Sequence, residues 1–234
     1  MIDLPPQSRV RWSHAWRIIA SRYPPIQLFE RLSDDPADWE ALAEVESLTN
    51  PRIRDEIGAI RLVPAEERVA GPGASWVMAS FTHLSPHGSR FSDGSYGVYY
   101  AAHELPTAIA ETVYHMGRFY GLTRDPPHGE DMRVLTGAVA TSFHDLRGQP
   151  AFAACLDPED YGPSRALGAQ LKARGSNGVV YPSVRRAGGQ CLGAFRPKAV
   201  GLPRQERHLR YHWNGERIDR YFDYAEDRWI GLGA

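Results

Sequence analysis

Between Glu104 and Tyr120, the residues Leu105, Ala108, Ile109, Thr112, Val113 and Met116 recur at i, i+3, i+4, i+7, i+8 and i+11. That spacing lines one flank of an α-helix with apolar side chains, because successive residues turn by about 100°. The segments on either side are of another kind. GVYYAA before the helix and MRVLTGAVA after it are short and rich in β-branched or aromatic residues, which suits a pleated surface. An apolar helix flank between two strands needs a sheet to lie on, and this points to an α+β chain.

Other stretches carry their own punctuation. In SDDPADWEALAEVESLTN, Asp35 is placed to cap a helix and Pro36 to take its first position, while Trp39, Leu42, Val45 and Leu48 recur every three residues. NPRIRDEIG repeats the pattern in brief, with Asn50 as cap, Pro51 first and Gly58 as the stop. The chain is therefore expected to be mostly helical from its start to about Val63. From Trp76 the composition turns aromatic and β-branched, so WVMASFTH is expected as a strand. A helix is expected over Ser164–Arg174, ended by Gly175, followed by strands GVVYPSV and QCLGAF across the turn RRAGG. Asn214-Gly215 between two aromatic-rich runs signals a hairpin. No repeat or linker interrupts the chain, and the expectation is one domain over 1–234.

Hydrophobic residues are 42% of the 234, enough to fill one core. Acidic and basic side chains interleave to a net charge of −1, which disfavours a surface built to hold phosphate backbones, so no direct nucleic-acid binding is expected. Cys155 and Cys191 are the only cysteines, and they provide neither a disulfide framework nor a zinc spacing. MIDLPPQSRVRW lacks the apolar stretch of a secretory signal, and no run has the length of a transmembrane helix, so a cytoplasmic location is expected. GxGxxG, Walker-A, HExxH and GxSxG patterns are absent. His208 and His212 are four apart, but they fall in the expected hairpin with no third ligand, so no metal is expected.

The stretch RFSDGSYGVYYAAHELPTAIAE places Arg90, Tyr100 and Glu111 at successive structural joints. Glu111 points roughly 120° away from the centre of the apolar stripe. Alone it reads as an exposed glutamate supported by His115 four residues on or by Arg118. Together the three residues suit a particular chemistry. When the nicotinamide–ribose bond of NAD breaks, the pyridinium departs as neutral nicotinamide, so no general acid is needed, whereas an ordinary glycosidase needs two carboxyl groups. One carboxylate suffices to steady the oxocarbenium-like ribose. An arginine can fork onto phosphate or ribose, and a tyrosine can stack on the nicotinamide ring.

Arg90 in GSRFSDG, Glu111 in TAIAET and Ser183 in VVYPSV resemble the three polar positions that name the RES domain. The resemblance runs roughly from Trp16 to Pro197 and is most specific over Gly88–His115. RES domains are toxins encoded beside an Xre-type helix-turn-helix antitoxin, and their fold is similar to the ADP-ribosyltransferase and diphtheria-toxin split β-core. The resemblance implies consumption of NAD, with Glu111 as catalytic carboxylate, Arg90 contacting NAD, Tyr100 in the nicotinamide pocket and Ser183 at its edge. WRIIASRYPP resembles the family's first strand, which implies that Arg22 and Tyr23 line the cleft, with Arg17 an alternative to Arg22. Residues 34–73 depart from compact members as a helical insertion, and 204–234 form a C-terminal hairpin extension.

The leading expectation is a toxin acting as a mono-ADP-ribosyltransferase on a cellular protein, held inactive by an Xre-type antitoxin that blocks the cleft. A phosphorylase or glycohydrolase depleting free NAD fits the same residues. A ribonuclease toxin is disfavoured by the near-neutral charge. A non-catalytic module binding through its aromatic C-terminal hairpin is the remaining alternative.

Overall fold

The amino terminus alternates with a period of two, and the computed structural model shows the consequence. Residues 4–23, 35, 37–49 and 58–233 are described. Strand β1 spans Gln7–Ala20, with Val10 and Trp12 buried and Arg9 and Arg11 exposed. This corrects the helical expectation for the start of the chain. In SRVRW the apolar residues sit every second position, which buries one face of a strand but cannot line a helix. A register shift between Trp12 and Ala15 then re-aims the strand against β3 (His128–Asp145).

Helix α1 spans Trp39–Thr49, as its periodicity predicts. Asp35 Oδ1 accepts from the Ala37 amide at 2.9 Å, and Trp39 is fully buried. Pro36 and the short helix read from Asn50 lie outside the described residues; Gly58 is left-handed, with φ of 67°. Helix α2 spans Ala74–Thr82, where a strand was expected. Ala74, Val77, Met78 and Phe81 are its buried apolar residues, at i, i+3, i+4 and i+7, so the helical period outweighs the strand-like composition. Gly73, with φ of 92°, precedes it, and a Cβ there would meet the Pro203 carbonyl oxygen at 2.1 Å.

The remaining elements are β2 (Tyr99–Ala102), α3 (Leu105–Thr123), α4 (Gly162–Ala173), β4 (Gly178–Pro182), β5 (Gln190–Ala194), β6 (Arg204–Trp213), β7 (Ile218–Asp223) and β8 (Arg228–Gly231). They form one eight-stranded sheet in the order β1-β2-β5-β4-β3-β6-β7-β8, and an additional β1–β3 pairing closes the first five strands into a ring. β4 joins the far end of β3 in parallel; the other pairings are antiparallel. The β6–β7 hairpin turns at Asn214-Gly215, where the Asn214 carbonyl Oδ1 accepts from the Glu216 and Arg217 amides at 2.9 Å each.

Two apolar layers flank the sheet. On one side Ile18, Val134, Leu209 and Tyr211 pack with Ala108 and Ile109 of α3 and Leu167 and Leu171 of α4. On the other, Val10, Trp12, Phe143, Val180 and Leu192 pack with Trp39, Val77, Met78 and Phe81. Tyr99 belongs to the second layer and Tyr100 to the first, so neighbouring tyrosines on β2 serve opposite faces. The first layer carries the candidate site.

Candidate active site

Arg90 sits in the tight turn that leads into β2. Gly88 opens the turn with φ of 69°, and a Cβ there would meet the Ser92 carbonyl oxygen at 2.4 Å. The Arg90 side chain is buried, 6% exposed. Its Nη1 donates to the Cys155 and Asp157 carbonyls at 3.2 and 2.8 Å, and its guanidinium lies 4.4 Å over the Tyr161 ring. Carbonyls and a π-face hold the cation without neutralising it.

Tyr100 faces the same side. Its hydroxyl shares a 2.8 Å hydrogen bond with Ser89 Oγ and accepts from the Phe91 amide at 3.0 Å. Burial pushes its pKa up to about 12, against the pull of those two bonds and of Arg90. The phenol therefore stays neutral, with its oxygen engaged.

Glu111 lies in the second turn of α3 and is partly buried, which departs from an exposed surface glutamate. Its Oε1 accepts from Ser183 Oγ at 2.6 Å and from Cys191 Sγ at 3.6 Å. Ser183 Oγ in turn accepts from the Arg185 and Arg186 amides at 3.2 and 3.1 Å, and the Ser183 amide donates to the Gly189 carbonyl at 2.8 Å, closing the turn after β4. That turn presses onto α3: a Cβ on Gly189 would stand 2.7 Å from Thr107 Oγ1.

Tyr181 of β4 shows how the pieces converge. Its ring meets Phe91 edge-on at 5.0 Å. Its phenol is raised well above the ordinary value by burial, then by Cys191, Glu111 and Tyr100, with Arg90 opposing. The charges of Glu111 and Arg90 thus act on one buried ring, with the Tyr100 phenol beside it. Ser183 joins them through Glu111.

Arg22 and Tyr23 are not brought to this cluster. Arg22 Nε pairs with Glu130 Oε1 at 3.5 Å, and both charges act on Tyr120, nine residues and about 13 Å along α3 from Glu111. Tyr23 is 60% exposed, and its carbonyl accepts from Arg133 Nη1 at 3.1 Å. Arg17 lies on the opposite face, 4.7 Å over the Tyr99 ring, and donates to the Tyr100 carbonyl at 3.0 Å.

Other residues at the site escaped the sequence reading. Arg185, two residues past Ser183, lies 3.3 Å over the Tyr114 ring and donates to the Pro158 carbonyl at 2.5 Å. His115, expected from the sequence only as a support for Glu111 four residues before it, has its pKa lowered by the protein packed around it, then by Arg185, Arg90 and Arg118, with Glu111 opposing. The residue is also exposed to solvent. Cys191 and Tyr161 were also missed. Two cavities, of about 70 and 260 Å³, lie away from Glu111, one beside Glu67 and Arg196 and the other beside Ser13, Thr136 and Arg204.

Chemically the cluster offers one carboxylate with an anchored oxygen, a buried cation and aromatic faces. Cys191 is a poor nucleophile, because burial and then Glu111 raise its pKa. Among the described residues no group of three His, Cys, Asp or Glu side chains has metal-binding geometry.

Comparison with known proteins places these residues in a family. An uncharacterized protein, y4oC, of Sinorhizobium fredii (strain NBRC 101917 / NGR234) is 35% identical over 213 residues, 90% of this chain and 87% of the relative. A distant likeness extends to the crystal structure of the M. tuberculosis MbcT–MbcA toxin–antitoxin complex, with 11% identity, a TM-score of 0.44, and coverage of 88% of this chain and 87% of that one. The RES domain matches residues 65–214, a span that contains Arg90, Tyr100, Glu111, Ser183 and Cys191 but neither Arg22 nor β7 and β8. The chain that carries this carboxylate and guanidinium belongs to the RES domain family.

Proposed function

We propose that this protein is the toxin of a toxin–antitoxin pair and that it cleaves the nicotinamide–ribose bond of NAD, most directly to transfer ADP-ribose to a cellular protein. The observation that carries the reading is the Glu111 carboxylate, held at one oxygen by Ser183, with Glu111, Tyr100 and Arg90 gathered around the buried Tyr181 ring. The C1′–N bond breaks with its electron pair going to the ring nitrogen, so nicotinamide leaves neutral and takes no proton. Glu111 offsets the positive charge that develops on the ribose. An acceptor nucleophile then bonds to C1′ and loses its proton to solvent.

Arg90 Nη1 is committed to carbonyls, which leaves Nε and Nη2 for a phosphate or ribose oxygen. Tyr100 supplies a ring face for nicotinamide. Arg22 and Tyr23 are left outside this pocket. In this reading the strand ring corresponds to an ADP-ribosyltransferase-like core. α1 and the short turns before Ala65 precede the family match and supply surface for recognising a protein acceptor. Phosphate or water as acceptor would use the same bond cleavage. An Xre-type helix-turn-helix antitoxin is the proposed partner, covering the Arg90–Glu111 cleft in a cytoplasmic complex. No helix among the described residues is long and apolar enough to cross a membrane.

The test is to incubate the purified protein with NAD labelled in its adenylate half, with and without cell lysate. Nicotinamide release together with label on a protein supports transfer. Release with label only on small molecules moves the acceptor to phosphate or water. No release in either setting removes the enzymatic reading.

A further inference from the structure

Glu111 Oε1 receives two protein donors, Ser183 Oγ at 2.6 Å and Cys191 Sγ at 3.6 Å. No protein donor reaches Oε2 among the described residues. The donors come from different elements: Ser183 opens the turn that follows β4, and Cys191 lies within β5. We propose that Cys191 is a positioning residue, whose thiol joins Ser183 in pinning one oxygen of Glu111 so that the other is presented to the ligand. The catalytic consequence rests on the NAD-cleaving function proposed above; the hydrogen bond itself does not.

The sulfur is placed by strands on both sides. Cys191 pairs with Tyr181 of β4 and with Ala102 of β2, so the strand cannot shift without breaking two ladders. The residue is 3% exposed in the apolar layer beneath α3. Burial and the charge of Glu111 keep its thiol protonated, which makes it a lasting donor. A reactive cysteine needs the opposite surroundings, cations and partial exposure.

The geometry has a catalytic consequence. The terminal torsion of a glutamate is broad and nearly two-fold, so a free carboxylate exchanges its oxygens. Two donors converging on Oε1, one from the turn after β4 and one from β5, remove that freedom, and Oε2 keeps a fixed direction. A preorganised charge aimed at the ribosyl cation needs no reorganisation during bond cleavage.

The competing role for Cys191 is packing, since a buried thiol also behaves as a small hydrophobe. Nicotinamide release by the wild type, Cys191→Ala and Cys191→Ser separates the two. Positioning predicts that Cys191→Ala lowers kcat roughly tenfold, about one modest hydrogen bond, with KM for NAD within about twofold. Cys191→Ser retains more activity than Cys191→Ala, because a hydroxyl can still donate. Packing predicts the reverse order, because serine adds a needless polar group to an apolar wall. Alanine at or above serine, with wild-type kcat, overturns the positioning role and leaves NAD cleavage standing.

A second measurement needs neither cysteine variant to fold nor any turnover. The chain has two thiols, so its S–H stretching bands in the infrared are few. Glu111→Gln replaces a charged acceptor with a neutral one and is expected to move one band to higher wavenumber while the other stays. Unchanged bands overturn the inference even if the wild type cleaves NAD, and an absence of nicotinamide release with a shifted band removes the proposed reaction and keeps the pinned carboxylate.

Discussion

Ser183 Oγ donates to Glu111 Oε1 at 2.6 Å, closing a span of 72 residues between the turn after β4 and the second turn of α3. Because that hydroxyl oxygen already accepts from two backbone amides, its hydrogen is directed at the carboxylate. Ser183→Ala removes the donor and the anchor of its turn together. A hydrogen bond to a charged group is worth about 1.5–3 kcal/mol, so kcat for nicotinamide release is expected to fall roughly ten- to a hundredfold. Steady-state kinetics check this, and an unchanged kcat would remove Ser183 from the site.

Arg90→Lys keeps the charge and loses the geometry. A lysine cannot stack flat on Tyr161 or span the Cys155 and Asp157 carbonyls while still presenting a fork to a ligand. The expected result is at least a tenfold fall in kcat/KM, carried mainly by a higher KM for NAD. The melting temperature should also drop by about 2–4 °C for each kcal/mol lost.

Arg22 provides the contrast. Its partner is Glu130, with the Arg22 side chain 50% exposed, and the pair lies toward the far end of α3 from Glu111. Arg22→Ala and Tyr23→Phe should each leave kcat/KM within about twofold of wild type, as distant surface changes usually do. A loss above tenfold in either would bring the amino-terminal strand back into the cleft.

His144 makes stability depend on pH. Its ring is buried against Ser176, with Nδ1 and Oγ 2.8 Å apart, and burial, then Arg174, lowers its pKa. Below the unfolded value of about 6.5, the unfolded chain takes up a proton that the folded chain resists. Stability is therefore present above that pH and falls as pH drops through it toward the lower folded value. Melting curves between about pH 7.5 and 5 should show this decline, and His144→Gln should flatten it.

The elements easiest to read in the sequence are those that hold themselves together locally. α3 has an uninterrupted apolar flank, and the β6–β7 turn is dictated by Asn214-Gly215. β1 is harder to read, because the exposed Arg9 and Arg11 alternate with the buried Val10 and Trp12, and the strand is completed only by its pairing with the distant β3. α2 misled through its aromatic content, although Ala74, Val77, Met78 and Phe81 had the helical period throughout. Within the site, Arg90, Glu111 and Ser183 stand out through a family resemblance. Cys191 depends on the β4–β5–β2 register, and Arg185 on a turn that folds back over Tyr114, and neither is encoded in local spacing.

The central claim is that the charge of Glu111, and not its shape, drives cleavage of the glycosidic bond. Glu111→Gln tests it most directly, because the amide keeps an oxygen for Ser183 and Cys191 while removing the charge. Calorimetric titration with NAD should give a Kd within about threefold of wild type, while nicotinamide release falls roughly a hundred- to a thousandfold, as when a preorganised stabilising group is lost. Release at the wild-type rate by a folded Glu111→Gln protein would contradict the account.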